Sequence, residues 1–392
     1  MSANSNQHFV PQFYLRRFSE DGSSLNLVLK STGETLSGAP IRGQCSKRKF
    51  YGTAPHLDDF LRFLEGSVSS FLGLFAGETP RRLPDHEDVE HLLCFLTTQM
   101  HRTPRAGEVG EAFEREFDRI IRRGSPSSRG LPDHLRAKPL DHMSMCRIAV
   151  KIYPALVDMM LVRICAPKGA EFVTSDNPVI LANKAGEQNR VPHAVGLSNS
   201  GLILIYPISP KYCLMFYDGG IYKTKHDRAL TVFANRSDVQ KINRLQYINC
   251  TSAVYFKNEV DALVDASINY FSEAPSQRIE LTEYVLDEEN RTQSRYRRFR
   301  DGLDEGHGKG GIIGFHHKPI EARLSTSFLS YRSRLKYEDS GTAAGYVRNR
   351  KLLDCTDEYS ELLAAGKVKP FTFHEFYANA AKNDTKPNLI GE

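Results

Sequence analysis

The spacing of apolar residues changes at Pro167-Lys168-Gly169, and that change sets the class of fold open to this chain. Before it, apolar side chains recur at helical intervals. Leu61, Leu64, Val68, Phe71, Leu72 and Phe75 follow a three-and-four rhythm between Leu57 and Ala76, as one buried helix face requires. A second stripe, Val89, Leu92, Leu93, Phe95 and Leu96, follows Pro84-Asp85-His86-Glu87. There Asp85 is a predicted N-cap, and the acidic first turn suits the helix dipole. Further helices are predicted from Gly107 to about Arg123 and from Asp141 to Cys165, with a Gly/Ser-rich loop over 124–130 between them. After the change the apolar runs shorten to strand length: Glu171 to Thr174, Pro178 to Leu181, Leu202 to Tyr206 and Tyr212 to Tyr217. Ser209-Pro210 separates the last two, which are expected to pair antiparallel. A helix over Ser237 to Thr251 and a strand over Ala253 to Phe256 follow, and Leu25–Leu29 with Glu34–Leu36 predicts an early hairpin. The predicted class is α+β, a helix-rich N-terminal half packed on a small, mainly antiparallel sheet. Residues 1–275 are expected to form the core domain, and 276–392 a helical C-terminal extension or subdomain.

Composition narrows the function classes. The chain has 392 residues (44.3 kDa), 40% of them hydrophobic, enough to core one large domain or two ordinary ones. Its formal charge is +5 and its pI about 8.7. A dedicated duplex binder carries a denser basic patch, so nucleic acid is one expected partner beside another anionic ligand, a protein, or a second copy of the chain. The run Arg295-Tyr296-Arg297-Arg298-Phe299-Arg300 reads first as a solvated helix face. Among Cys45, Cys94, Cys146, Cys165, Cys213, Cys250 and Cys355 no two have C-x-x-C spacing, which points to reduced thiols and not to a zinc cluster or disulfide frame. The N-terminus is polar and no apolar run reaches membrane-spanning length, so a cytoplasmic protein with no membrane partner is expected. Gly306 to Gly311 is glycine-rich but lacks the P-loop order, and no G-x-S-x-G, H-E-x-x-H or zinc-deaminase signature occurs. These absences remove several common enzymes. They leave metal nucleases, whose acidic ligands are scattered.

Two strings set polar side chains among apolar ones: Gln7-His8-Phe9-Val10-Pro11-Gln12-Phe13-Tyr14-Leu15-Arg16-Arg17-Phe18 and Phe172-Val173-Thr174-Ser175-Asp176-Asn177-Pro178-Val179. Polar groups in such surroundings must be hydrogen-bonded or carry a desolvation penalty, so each serves a site or locks the fold. Other short strings join them: Lys49-Phe50-Tyr51, Glu65, Gln99-Met100-His101-Arg102-Thr103-Pro104-Arg105, Tyr206-Pro207-Ile208-Ser209-Pro210 and Asn243. Their order over roughly residues 6–260 resembles a bacterial family catalogued as domain of unknown function 4238. The resemblance implies no settled activity. It does imply a bacterial protein of a kind expected in defence or mobile-element gene neighbourhoods.

The residue types suit a hydrolytic site. His8 can act as acid, base or metal ligand near neutral pH. Glu65 and Asp176 are hard oxygen ligands for magnesium or manganese, or an acid/base pair. Arg102 and Arg105 offer planar forks for phosphate or carboxylate, and Arg16, Gln99, Asn177 and Asn243 can orient a substrate. Together they predict a metal-dependent phosphodiester hydrolase, a nuclease-like effector. In it a metal sits on Glu65 and Asp176, water is activated there or by His8, and Arg102 stabilises charge. The alternative is a non-catalytic module that binds an anionic ligand or a protein partner through Arg102, Arg105 and Arg16-Arg17. Structural roles stand beside these. Asp176 can cap an Asx-turn, Glu65 and Arg102 can form a buried ion pair, His8 can be a hydrogen-bonded core imidazole, and Tyr14 with Phe18 can pack the core.

Overall fold

Leu202 to Tyr217 folds into the two strands on which the helical layers pack. The protein is seen here as a computed structural model, which describes residues 6–51, 55–75, 77–78, 80–108, 110–111, 115, 142–189, 196–258, 279–286, 296–298, 311–317, 324–339 and 346–384. In chain order the core elements begin with β1 (Asn6–His8), α1 (Gln12–Leu15), β2 (Ser24–Leu29), β3 (Thr35–Pro40), β4 (Ser46–Arg48), α2 (Pro55–Phe75) and α3 (His86–His101). They continue with α4 (His142–Ile152), β5 (Met160–Cys165), β6 (Thr174–Ser175), β7 (Ile180–Ala182), α5 (Lys184–Asn189), β8 (Ile203–Pro207) and β9 (Tyr212–Tyr217). The last of them are β10 (Tyr222–Thr224), β11 (Thr231–Phe233), α6 (Arg236–Asn249) and β12 (Ala253–Phe256). The fold is α+β. Among the described residues no helix is long and apolar enough to cross a membrane.

A five-stranded sheet of order β11-β5-β9-β8-β7 is antiparallel except for the parallel β11–β5 pair. Its central strands β8 and β9 are buried along their whole length. Side chains alternate across a strand, so each strand feeds two cores. Leu204, Tyr206, Leu214 and Phe216 pack with Leu64, Val68 and Phe71 of α2 and Leu92, Phe95 and Leu96 of α3. Ile203, Ile205, Cys213 and Met215 face the other way, toward Val239, Ile242 and Leu245 of α6. Each such apolar side chain contributes about 1.5–3 kcal/mol when fully buried. The α3 N-terminus is closed by a capping box in which Asp88 N donates to Asp85 Oδ1 (2.9 Å) and Asp85 N to Asp88 Oδ2 (3.1 Å). The early hairpin β2–β3 belongs to a second sheet of order β3-β2-β12-β6.

The helix predicted to run to Cys165 stops at Ile152. A 3₁₀ turn over Tyr153–Leu156 carries Pro154, which cannot continue a helix ladder, and Met160–Cys165 is strand β5. In it Val162 and Ile164 point into the α6-side core, while Arg163 points to the other face. The guanidinium of Arg163, 2% exposed, donates to Phe75 O (2.7 Å), Gly77 O (2.5 Å) and Thr231 Oγ1 (3.0 Å), and stacks 4.5 Å from the Tyr212 ring. It thereby satisfies carbonyls left open at the α2 C-terminus.

C-terminal helices form as expected, α7 at Arg350–Ala364 and α8 at Phe373–Asp384. A three-stranded antiparallel sheet of Ile279–Leu286, Tyr296–Arg298 and Gly311–His317 precedes them. The basic run read as a helix face therefore holds a strand, Tyr296–Arg298. The stretch from Leu324 onward is stitched back to the core. Strand β10 pairs with Leu329–Tyr331, and Arg348 donates to Ala155 O, Leu197 O and Asn199 O while pairing with Asp158. The loop over 124–130 and most of the helix predicted for 107–123 and of the glycine-rich 306–311 stretch lie outside the described residues.

Candidate functional site

Pro11 stands at the N-cap of α1 with extended backbone, so the N-terminal string turns sharply from β1 into a helical turn. That turn brings Tyr14 inward. Its hydroxyl lies 2.5 Å from Thr174 Oγ1 and donates to Pro207 O (2.7 Å), and its ring stacks 4.8 Å from Tyr206 and lies edge-on to Phe18. Arg17 donates to Ile208 O (2.8 Å) and to Leu72 O (3.2 Å). Three strings far apart in sequence are thus fastened to one another by the first eighteen residues.

Beside this junction the α3 C-terminus carries a chain of polar contacts. Gln99, fully buried, donates through Nε2 to Phe9 O (2.8 Å) and accepts from Arg102 Nε (2.9 Å). Arg102, 1% exposed, donates through Nη1 to Glu65 Oε1 at 2.6 Å, while the Glu65 side chain keeps 28% exposure. Burial pulls the guanidinium's pKa down, but the Glu65 charge and Tyr51 more than restore it, leaving Arg102 above its ordinary value. Its Nη2 is buried with no hydrogen-bond partner.

His8 is half-buried, and burial pushes its imidazole below the ordinary histidine range. A hydrogen bond to the Arg42 backbone and the Glu65 charge oppose that shift, and Arg16 adds to it. Its Nε2 is likewise buried and unpartnered. Arg16 itself stands exposed, donating to Gln12 Oε1 (3.0 Å). Glu65 is the group common to His8 and Arg102.

Asp176 belongs to a different network. It is 3% exposed, and its two carboxylate oxygens accept from Thr251 N (2.8 Å) and Ser252 N (2.6 Å). Burial raises the carboxyl above the ordinary Asp range, and the two amide bonds only partly offset it. Asn177 accepts from Thr103 Oγ1 (3.3 Å) and donates to Asn249 O (3.1 Å). Asn243 clamps Val173 N (3.0 Å) and Glu171 O (2.8 Å). Gln246 donates to Pro178 O (2.7 Å), and Asn249 to Asn177 O (2.6 Å) and Val179 O (2.9 Å).

Asn243, Gln246 and Asn249 are three residues apart on α6, so one helix face pins the backbone of 171–179 with amides. Thr103, next to Arg102, joins the two networks. The structure therefore gathers His8, Glu65, Gln99 and Arg102, with Arg16 near His8. Asp176, Asn177 and Asn243 are spent on backbone clamping, and Arg105 pairs with Glu108 (2.9 Å).

The two carboxylates of the expected metal set, Glu65 and Asp176, stand in these two networks. One carboxylate is held by a guanidinium and the other by two backbone amides. Among the described residues no group of three or more His, Cys, Asp or Glu side chains gathers in a way that fits a metal ion.

The model of a family described as a protein of unknown function (DUF4238) matches residues 6–260. The chain belongs to the DUF4238 family. No curated protein and no solved structure matches it. Within the DUF4238 span, sequence reasoning missed Gln246 and Asn249 as partners of Asn243, although amides at three-residue spacing on a helix were the available signal. It also missed Glu90 of α3, 1% exposed, which sits three residues before Leu93 and four before Cys94, both fully buried.

The half-buried histidines of this DUF4238 chain contribute one sign to its acid response. Burial pushes His8, His91 and His101 below the ordinary histidine value. Such groups bind protons more readily unfolded than folded. Their stabilisation is complete above the unfolded value, about 6.5, and is lost as pH falls below it. The histidine part of the urea midpoint is expected to drop between about pH 7.5 and about pH 5.5, against the opposite trend of the raised Asp176 and Asp218 carboxyls. His101→Phe, which removes one of the three, should flatten that slope; an unchanged slope would count against the assignment.

Proposed function

We propose that the chain binds an anionic ligand at the Glu65–Arg102–His8 cluster, with an oxyanion on Arg102 Nη2 and a polar group of the ligand on His8 Nε2. The observation that carries this reading is the buried, unpartnered Nη2 of the guanidinium that pairs with partly exposed Glu65, with the unpartnered His8 nitrogen within the field of the same carboxylate. An unmet guanidinium N–H costs about 1–3 kcal/mol, and a ligand oxygen relieves it. Glu65 then neutralises most of the charge, so geometry and not net attraction selects the ligand.

Phosphodiester hydrolysis is the second reading. It is supported by the burial of His8, which favours a neutral imidazole able to accept a proton from water, beside an arginine able to hold developing negative charge. A nuclease role in defence and a nucleic-acid partner are extensions of that reading. A cytoplasmic setting is supported by the seven cysteines, all buried free thiols.

Inorganic phosphate and bis(p-nitrophenyl) phosphate test both readings, with and without added magnesium or manganese. Thermal unfolding of the full chain should shift upward with either anion. Arg102→Lys, which keeps the charge opposite Glu65, should abolish the shift while the variant still melts cooperatively. Nitrophenolate release lost in His8→Gln, with the thermal shift retained, would favour hydrolysis. Absence of any shift, or a shift surviving in Arg102→Lys, would remove the site.

A further inference from the structure

The outer face of the α2–α3 pair carries a second, independent feature. An open cleft of about 520 Å³ lies between these helices and the 369–375 segment, with Phe63, Glu87, His91, Lys369, Phe371 and Glu375 among its walls. Its floor is aromatic. The ring of Phe371 lies 4.3 Å from His91 and 5.9 Å from Phe63, and Phe63 meets His91 edge-on at 5.5 Å. Phe63 is 52% exposed although it is a large apolar side chain. Phe371 reaches its place only by adopting left-handed backbone, φ 61°, a region that bulky side chains rarely occupy.

The 369–375 wall is fixed from beneath, because buried Glu90 accepts from Phe373 N (3.2 Å) and His374 N (2.8 Å). His91 Nε2 is buried and has no hydrogen-bond partner. Burial lowers the pKa of this imidazole despite four neighbouring carboxylates, so it offers a neutral ring.

The charge of the cleft opposes that of the chain. Glu87 and Glu375 face the single ammonium of Lys369. An adjoining cleft of about 260 Å³ shares Glu87 and His91 and adds Asp85 and Asp88, with Arg82 already paired to both. Four carboxylates against two cations thus line the trough of a protein whose net charge is +5. Aromatic faces beside carboxylates are the surroundings that stabilise a desolvated ammonium.

We propose that this cleft binds a small organic cation, its ammonium lying on the Phe63–His91–Phe371 floor and balanced by Glu87 and Glu375. His91 and Arg102 are eleven residues apart on or at the end of one helix, about 16 Å along its axis. The site is therefore separate from the anion cluster and does not depend on it.

Benzylammonium and its neutral twin, benzyl alcohol, are the probes, followed by saturation-transfer difference NMR on the full chain. Saturable binding of benzylammonium is expected, at least tenfold tighter than that of the alcohol. Glu87→Gln should weaken it tenfold or more. Phe63→Ala should do the same without loss of folding, since that side chain is half-exposed. Equal binding of the alcohol would reduce the cleft to an apolar groove. No saturable binding of benzylammonium, or affinities within twofold of the parent in both variants, would overturn the proposal.

Discussion

Asp176→Ala is expected to cost the protein about 1.5–3 kcal/mol, because the substitution removes the buried carboxylate that accepts from the amides of half-buried Thr251 and exposed Ser252, the second of which can turn to water instead. Against a total stability of about 5–15 kcal/mol for an ordinary domain, that is enough to unfold much of the population on mild heating. Asp176→Asn keeps one carbonyl oxygen and should lose about half as much. The raised carboxyl sets the pH dependence of the loss. An Asp whose folded value lies above its unfolded one adds most to stability below the unfolded value, and that contribution fades as pH rises through the folded value. Parent and Asp176→Asn should therefore converge in urea midpoint as pH rises from the carboxylate range. A site carboxylate freely presented to a metal would behave differently: its removal would leave the melting temperature near that of the parent and abolish activity alone. An Asp176→Ala protein that melts within about 2 °C of the parent would sink the structural assignment.

What could be read from the sequence was what local chemistry determines. The stripes of α2 and α3, the Asp85 cap, and the antiparallel pairing across Ser209-Pro210 rest on residues within one turn or one hairpin of each other. Leu161-Val162-Arg163-Ile164 was misassigned to a helix because a short apolar run is compatible with either period. Its state is settled by six paired positions on Tyr212–Tyr217, some fifty residues on. The same distance problem divides the site residues. Glu65, Gln99 and Arg102 were placed together because helical spacing and complementary charge point that way. Asp176 offered an equally good carboxylate, but its donors are 75 and 76 residues downstream. No local pattern announces an acceptor already filled by backbone. The Asx-turn role weighed for it was close in kind, a carboxylate capping backbone amides, though the amides lie in the loop after α6 and not in its own turn.

Glu90 extends the same logic to the C-terminal segment. It lies inside the α3 stripe at 1% exposure, where a carboxylate persists only if its oxygens are filled. They accept from Tyr153 Oη (2.9 Å), Phe373 N (3.2 Å) and His374 N (2.8 Å), and His374 Nδ1 lies 2.6 Å away. The two amides open the first turn of α8, so Glu90 caps that helix from across 283 residues and meets the positive end of its dipole. Glu90→Leu supplies volume but no acceptor. It should cost about 3 kcal/mol or more, counting the buried Phe373 N–H and Tyr153 hydroxyl left unpaired. The loss should be local first, because α8 has lost its cap while the two-faced sheet core is untouched. Limited proteolysis should cut within 369–384 well before the rest of the chain, with most of the far-UV signal retained. Glu90→Gln, which keeps one acceptor oxygen, should lie between the two. Simultaneous digestion of the core and the tail in Glu90→Leu would show that the C-terminal helices are not held by this carboxylate.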